Sequence, residues 1–178
     1  MNILFNAIAF QLGWFACVLG GANQLPWLGT LVAVLIVYWH LKKAQHPGRE
    51  VALLAMVGVM GALWDSLLVA IGWLDYPSGT LLSNTAPHWI VAMWVLFAST
   101  LNVSLRWLRG RWTLATLLGA VSGPLAYYGG AKLGGVVISE PVFAFTVLAI
   151  GWAVFVPLLI WLSTRFDGIA AVPAAAGN

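Results

Sequence analysis

The chain has 178 residues, 62% of them hydrophobic and 7% charged, with a net charge of +3. A soluble domain carries roughly a quarter charged residues, so this composition excludes a water-soluble globular domain. The basic residues stand singly or in threes between apolar runs, which excludes a nucleic-acid-binding surface, and the single cysteine, Cys17, leaves no internal disulfide, CxxC pair or cysteine-rich metal site.

In chain order the apolar runs cover about residues 3–21, 27–41, 51–74, 88–105, 112–134 and 141–164. They are continuous rather than alternating, and at about 20 residues per crossing their lengths suit helices rather than barrel strands. The expected fold is all-α: a polytopic membrane protein with six transmembrane helices in one domain, residues 1–165, followed by a short, flexible cytoplasmic tail, 166–178. The first run has no basic residue before it, since the first Lys or Arg is Lys42, and Trp14-Phe15-Ala16 before Cys17 does not match a lipoprotein cleavage site. It is read as a mature helix.

Orientation follows from the cations, because short cytoplasmic loops concentrate Lys and Arg. Lys42, Lys43 and Arg49 lie between runs two and three, Arg106, Arg109 and Arg111 between four and five, and Arg165 after run six. Six crossings place all seven on one side, with both termini cytoplasmic in a bacterial inner membrane; Lys132 alone falls on the other. Tryptophans, which favour the interfaces, mark the outer boundary at Trp27, Trp73 and Trp89 and the inner one at Trp39, Trp107, Trp112 and Trp161. Trp14, Trp64, Trp94 and Trp152 remain at depth, as packing residues or pocket walls.

At about 100° per residue, small or polar residues align on one face of several runs. Run one aligns Asn6, Gly13, Cys17 and Gly20; run three aligns Gly58, Gly61 and Asp65; run five aligns Gly119, Ser122, Gly123 and Gly130. Small residues let helices approach closely in lipid, so runs one, three and five are expected to form much of the interior, with run four turned inward through His88, Ser99 and Asn102. Pro124 and Pro157 are expected to kink runs five and six. The tetrapeptide Ala70-Ile71-Gly72-Trp73 recurs as Ala149-Ile150-Gly151-Trp152, too short a match to establish a repeat.

Asp65 is the outstanding chemical candidate, because an ionisable group within a span costs about 3 kcal/mol or more unless it is paired. Its bland alternative is a hydrogen-bonded fastener to Asn6, Gln11 or Ser99. His88 is the candidate acid or base at the mouth of a cavity floored by Asp65, with Trp64, Ser99, Tyr127 and Tyr128 as further binding residues and Lys132 and Glu140 at similar depth. Asn6, Gln11 and Asn102, with the glycines at 58, 61, 119 and 123, are expected to serve helix packing. Gly119-Ala120-Val121-Ser122-Gly123 superficially matches the serine motif of rhomboid proteases, but run six contains no histidine to activate the serine. Neither a metal centre nor a cofactor motif is present; His40, His46 and His88 fall on both sides of the membrane.

Asn2-Ile3-Leu4-Phe5-Asn6, the segment from Phe10 to Gly20, Ala86-Pro87-His88-Trp89 with Trp94, and Gly123-Pro124-Leu125-Ala126-Tyr127 together resemble a bacterial family of small six-span integral membrane proteins known only as a domain of unknown function. The resemblance covers most of the chain and implies a lipid-linked role, through gene neighbourhoods shared with fatty-acid-modifying enzymes, without assigning a catalytic residue. Three functions are compatible with the residues: binding or transport of a small amphipathic or lipid-like ligand, the preferred reading; an intramembrane lipid-modifying isomerase or cyclase using Asp65 as acid or base; and an accessory subunit docking another membrane protein. Size and span number also resemble the substrate-binding component of energy-coupling-factor vitamin transporters. The expected partners are membrane lipid, such a ligand or a membrane protein, and no nucleic acid.

Overall fold

Asn2 opens the first helix by accepting hydrogen bonds on its side-chain oxygen from the backbone N–H groups of Leu4 and Phe5, an N-cap that satisfies donors with no intrahelical partner. Helix α1 runs Ile3–Ala22. Three further helices start on a proline, whose missing N–H costs nothing in a first turn: α2 (Pro26–Lys43), α3 (Pro47–Ala70) and α6 (Pro141–Arg165). Between them lie α4 (His88–Leu101) and α5 (Trp112–Lys132). These elements come from a computed structural model that describes residues 2–169.

The six helices match the six apolar runs, and three of them, α1, α3 and α6, are long and apolar enough to cross a membrane; α4 is a shorter apolar helix. Their outward faces carry apolar residues such as Leu12, Leu63 and Val142. The chain is a polytopic all-α membrane protein.

Several boundaries differ from the hydropathy runs for identifiable reasons. Helix α3 ends at Ala70 rather than residue 74, because Gly72 takes φ +78° and the N–H groups of Gly72 and Trp73 return to the carbonyls of Val69 and Leu68. That pairing is a Schellman C-cap. Gly134, at φ +81°, closes α5 in the same way through Ala131 and Gly130. Helix α4 stops at Leu101, four residues short of its run, where the chain turns and Asn102 bonds to Glu50. The supposed tail is also shorter at its start: Asp167 pairs with Arg106 and Arg109, and the N–H of Gly168 is bonded to Glu50. The rest of the expected tail, 170–178, lies outside the described residues.

The centre of the bundle is α4, which packs on α1, α2, α3 and α6, whereas α5 packs chiefly on α6. This corrects the expectation that α5 would be central: it buries only Ala115, Gly119, Gly123 and Gly130. Its small stripe serves one neighbour, not a core. Prolines 124 and 157 both lie inside continuous helices. The repeated tetrapeptide has no structural counterpart, since its first copy is a helix end and its second lies within α6.

The glycines are seats for bulkier partners. A Cβ on Gly61 would strike the ring of Trp94, one on Gly123 the ring of Trp152, one on Gly119 the Trp152 carbonyl, and one on Gly151 the Trp64 ring. Gly58 meets Val95 in the same manner. At the end opposite the basic loops, two residue pairs form a short antiparallel ladder, β1 (Leu74–Asp75) with β2 (Val137–Ile138), Leu74 facing Ile138 and Asp75 facing Val137. It ties the α3–α4 connection to the α5–α6 connection.

Gly29 tests how close the backbones come. A Cβ there would meet the Cα of Cys17, the Cys17 nitrogen at 2.8 Å and the Ala16 carbonyl at 2.9 Å, all main-chain atoms that cannot rotate away. Gly29→Leu is expected to separate α1 from α2 and to cost at least the upper part of the about 1–3 kcal/mol typical of overpacking, read as a lower melting temperature in detergent by size-exclusion fluorescence; an unchanged melting temperature would refute this packing.

Candidate functional site

One face of α3 is buried along its length: Glu50, Leu54, Val57, Gly58, Gly61, Asp65 and Leu68. Asp65 is fully enclosed, at 0% exposure. Its Oδ1 accepts hydrogen bonds from the Tyr76 hydroxyl at 2.7 Å and the Tyr127 hydroxyl at 2.8 Å, and its Oδ2 accepts from the Trp94 indole N–H at 2.7 Å. The donors come from three different elements: the α3–α4 connection, α5 and α4.

The connection from 71 to 87 delivers Tyr76 by folding back into the bundle. Ser78 donates to the Gly21 carbonyl, Trp89 donates its indole N–H to the Ser78 carbonyl, and the Ala86 N–H reaches the Ser66 hydroxyl. Irregular backbone at depth is tolerated where protein groups satisfy it. Tyr76 itself is 7% exposed and packs edge-on against Trp89 at 5.5 Å between ring centres.

Beside this cluster lies a half-open apolar cleft of about 210 Å³. Phe10, Trp14 and Val18 of α1 form one wall; Ser122, Ala126, Tyr127 and Gly130 of α5 form the other; α4 supplies Trp89, Met93, Trp94 and Phe97, and α6 supplies Trp152. Helices α1 and α5 scarcely pack on each other. They approach where Gly129 faces Trp14 and Gly135 faces Val18, near the far end of α5, so the gap between them lies midway along α5, where Ser122 and Ala126 are exposed. All three donors to Asp65 line this cleft, but Asp65 does not. The indole N–H of Trp152 is buried without a hydrogen bond of good geometry, with the Tyr127 hydroxyl as its polar neighbour.

The structure therefore gathers Asp65 and Tyr127 from the sequence candidates, together with Trp94 and Tyr76. Others are placed elsewhere. The ring of His88 stacks on Trp27 at 4.0 Å and its Nδ1 lies 2.7 Å from the Thr30 hydroxyl; it belongs to the α2–α4 face and does not reach Asp65. Six residues before Trp94, it points about 120° away around the helix. Tyr128, half exposed, faces outward beneath Lys132, whose ammonium lies 5.4 Å from the ring centre. Trp64 seats on Gly151 and meets Phe155 edge-on at 4.9 Å. Ser99 bonds to the Leu96 carbonyl, and its own carbonyl accepts from Asn6, which also holds the Ser104 N–H. Asn6 thus ties α1 to α4 and to the connection after it, whereas Gln11 is exposed and makes no hydrogen bond to Asp65. Glu140 is exposed at the start of α6.

A second buried carboxyl, absent from the sequence candidates, lies at the basic end. Glu50 is 0% exposed; its Oε2 accepts from His40 Nε2 at 2.7 Å, and its Oε1 accepts from the Asn102 amide and the Gly168 N–H. Asn102 in turn accepts from Arg109, which also donates to Asp167 and to the Ser163 carbonyl. The signal was available: the small-residue face carrying Gly58, Gly61 and Asp65 continues back to Glu50 at helical spacing. The third apolar run begins at residue 51, which leaves Glu50 just outside it.

Residues 3–158 match the family model described as "Protein of unknown function (DUF2878)". The chain belongs to that family. No curated protein and no solved structure matches it. Family membership therefore brings no assigned activity, and the chemistry must be read from the two carboxyl centres and the cleft. The Asp65 centre adjoins the cleft, whereas the Glu50 centre joins α2, α3, the α4–α5 connection and the segment after α6.

That difference is measurable. Glu50→Ala leaves the buried His40, Asn102 and Gly168 donors without their acceptor, and removing one partner of such a buried set costs about 3–5 kcal/mol. The variant is expected to lose folded yield and unfold at lower denaturant in detergent, with Glu50→Gln retaining part of the loss; wild-type stability in Glu50→Ala would show that the network holds nothing.

Proposed function

We propose that this membrane protein captures a small amphipathic or lipid-like molecule in the cleft between α1 and α5, entered sideways from the bilayer. The observation that carries the reading is an aromatic, apolar cleft, half open midway along α5 between two helices that scarcely touch, with a hydroxyl-bearing cluster on its wall. An enclosed apolar cavity of about 150 Å³ suffices for a benzene-sized guest; a cleft of about 210 Å³ admits a ring or a length of chain whose remainder stays in lipid.

Neither alternative draws equal support. Three donors cover Asp65, so an acid or base role reaches the cleft through the tyrosine hydroxyls alone. The accessory-subunit reading needs an open small-residue face, whereas Gly61, Gly119 and Gly123 are occupied by tryptophans.

In this proposal all six helices cross a bacterial inner membrane with both termini cytoplasmic. In support, Lys42, Lys43, Arg111 and Arg165 each lie over an aromatic ring, 5.1–6.0 Å from its centre, as expected for cations at an interface rich in tryptophan and tyrosine. The basic ends of successive helices converge through Glu50 and Arg109. A carboxy-terminal green fluorescent protein fusion should fluoresce and an alkaline phosphatase fusion should be inactive; the opposite pair would reverse the orientation.

Native mass spectrometry with lipidomics on the purified protein is the direct test of capture. A defined small amphipath is expected to copurify and to be lost from Ala126→Trp, which fills the cleft from its exposed wall while leaving the Asp65 cluster unchanged. A ligand profile identical in wild type and Ala126→Trp would place binding elsewhere, and no retained molecule in either would refute capture.

A further inference from the structure

The cleft offers a ligand little polar surface, and what it offers has a definite sense. An indole N–H only donates, so Trp94 requires Asp65 Oδ2 to accept; a phenol has a single proton. With the Tyr76 and Tyr127 protons both directed to Asp65 Oδ1, what the tyrosine oxygens keep for the cleft is lone pairs. Among the described residues, no Lys, Arg or His pairs with Asp65. An anionic head group would therefore meet lone pairs backed by a carboxylate, with no cation to receive it. Two donors on the cleft wall remain: the buried N–H of Trp152, which has no hydrogen bond of good geometry beside the Tyr127 hydroxyl, and the hydroxyl of exposed Ser122.

We infer that the cleft selects an amphipath with a hydroxyl head group, a long-chain or ring alcohol, over the corresponding amine or acid anion. The inference rests on the capture reading above. A hydroxyl donates to the tyrosine oxygens and accepts from Trp152; an ammonium only donates, and a carboxylate only accepts. The selecting device is Asp65, which acts at one remove by holding both phenol protons away from the cleft. Asp65 is a positioning residue in this scheme, and Tyr127 is the group that touches the ligand.

The test uses the full chain, purified in a polyoxyethylene detergent and incubated with an equimolar mixture of 1-dodecanol, dodecylamine and dodecanoate, with retained adducts read by native mass spectrometry. The alcohol is expected to exceed each competitor by about tenfold, the discrimination that about 1.4 kcal/mol provides. Tyr127→Phe, which keeps the ring and its packing, should abolish the preference while still retaining chains. Asp65→Asn, whose carbonyl oxygen must still accept from Trp94, turns its NH2 group toward both phenol oxygens and frees their protons for the cleft, so its preference should move toward dodecanoate. Equal retention of the three probes by the wild type, or a preference for amine or acid, overturns the inference and leaves capture standing. A Tyr127→Phe protein that keeps the alcohol preference also overturns it. Retention of no probe, with Ala126→Trp indistinguishable from wild type, overturns capture as well.

Discussion

A carboxyl group withdrawn from water must be given donors by the protein, and α3 carries two of them. Asp65 and Glu50 lie fifteen residues apart, about 22 Å along a helix rising about 1.5 Å per residue. Each accepts three hydrogen bonds, and no donor comes from α3 itself. Isolated buried charge is among the costliest arrangements in a protein, so surrounding elements are obliged to bring side chains to α3. At one end they are α2, the turn after α4 and the chain after α6; at the other, the α3–α4 connection, α4 and α5. The helices are arranged around this requirement as much as around apolar contact.

Apolar burial inside lipid gives helices little reason to associate, and close packing must supply it. The tryptophans and glycines do this in pairs. Trp94 rests on Gly61, Trp152 on Gly123 and Trp64 on Gly151, and Trp94 and Trp152 stack on each other at 4.7 Å. The donor that fixes Asp65 is therefore itself held between a glycine face and another indole. Polar and dispersive contacts share one side chain, which explains how a single cluster can be both a structural fastener and the wall of a cleft.

Much of this fold was legible in the residues, because hydropathy depends on composition along one dimension and six separate apolar runs leave six helices. Asp65 was also legible, since an acidic residue in such a run has few explanations. Azimuth and reach were not. His88 and Asp65 share a half of the molecule by sequence counting, yet the rotation of α4 sends His88 to Thr30. Tyr127 and Tyr128 are neighbours in sequence and point in different directions, one to Asp65 and one outward. Glu50 was hidden by lying just outside the third apolar run: a hydropathy window places it in a loop, while the face of α3 continues through it. The position of α5 failed for a related reason, as a stripe of glycines says that something approaches closely but not how many helices do so.

The Gly168 contact has a consequence for biogenesis. Glu50 accepts from a residue 118 positions later, and Asp65 from one 62 positions later. A chain inserted from its amino terminus places α3 in the bilayer long before either partner has been synthesised. During that interval both carboxyls rely on other donors, on water near the interface or on protonation. The bundle cannot complete its wiring helix by helix, and the segment that follows α6 acts as the latch. Premature termination within α6 would leave a membrane-inserted intermediate with an unsatisfied acid, the kind of species that quality-control proteases recognise in the membrane.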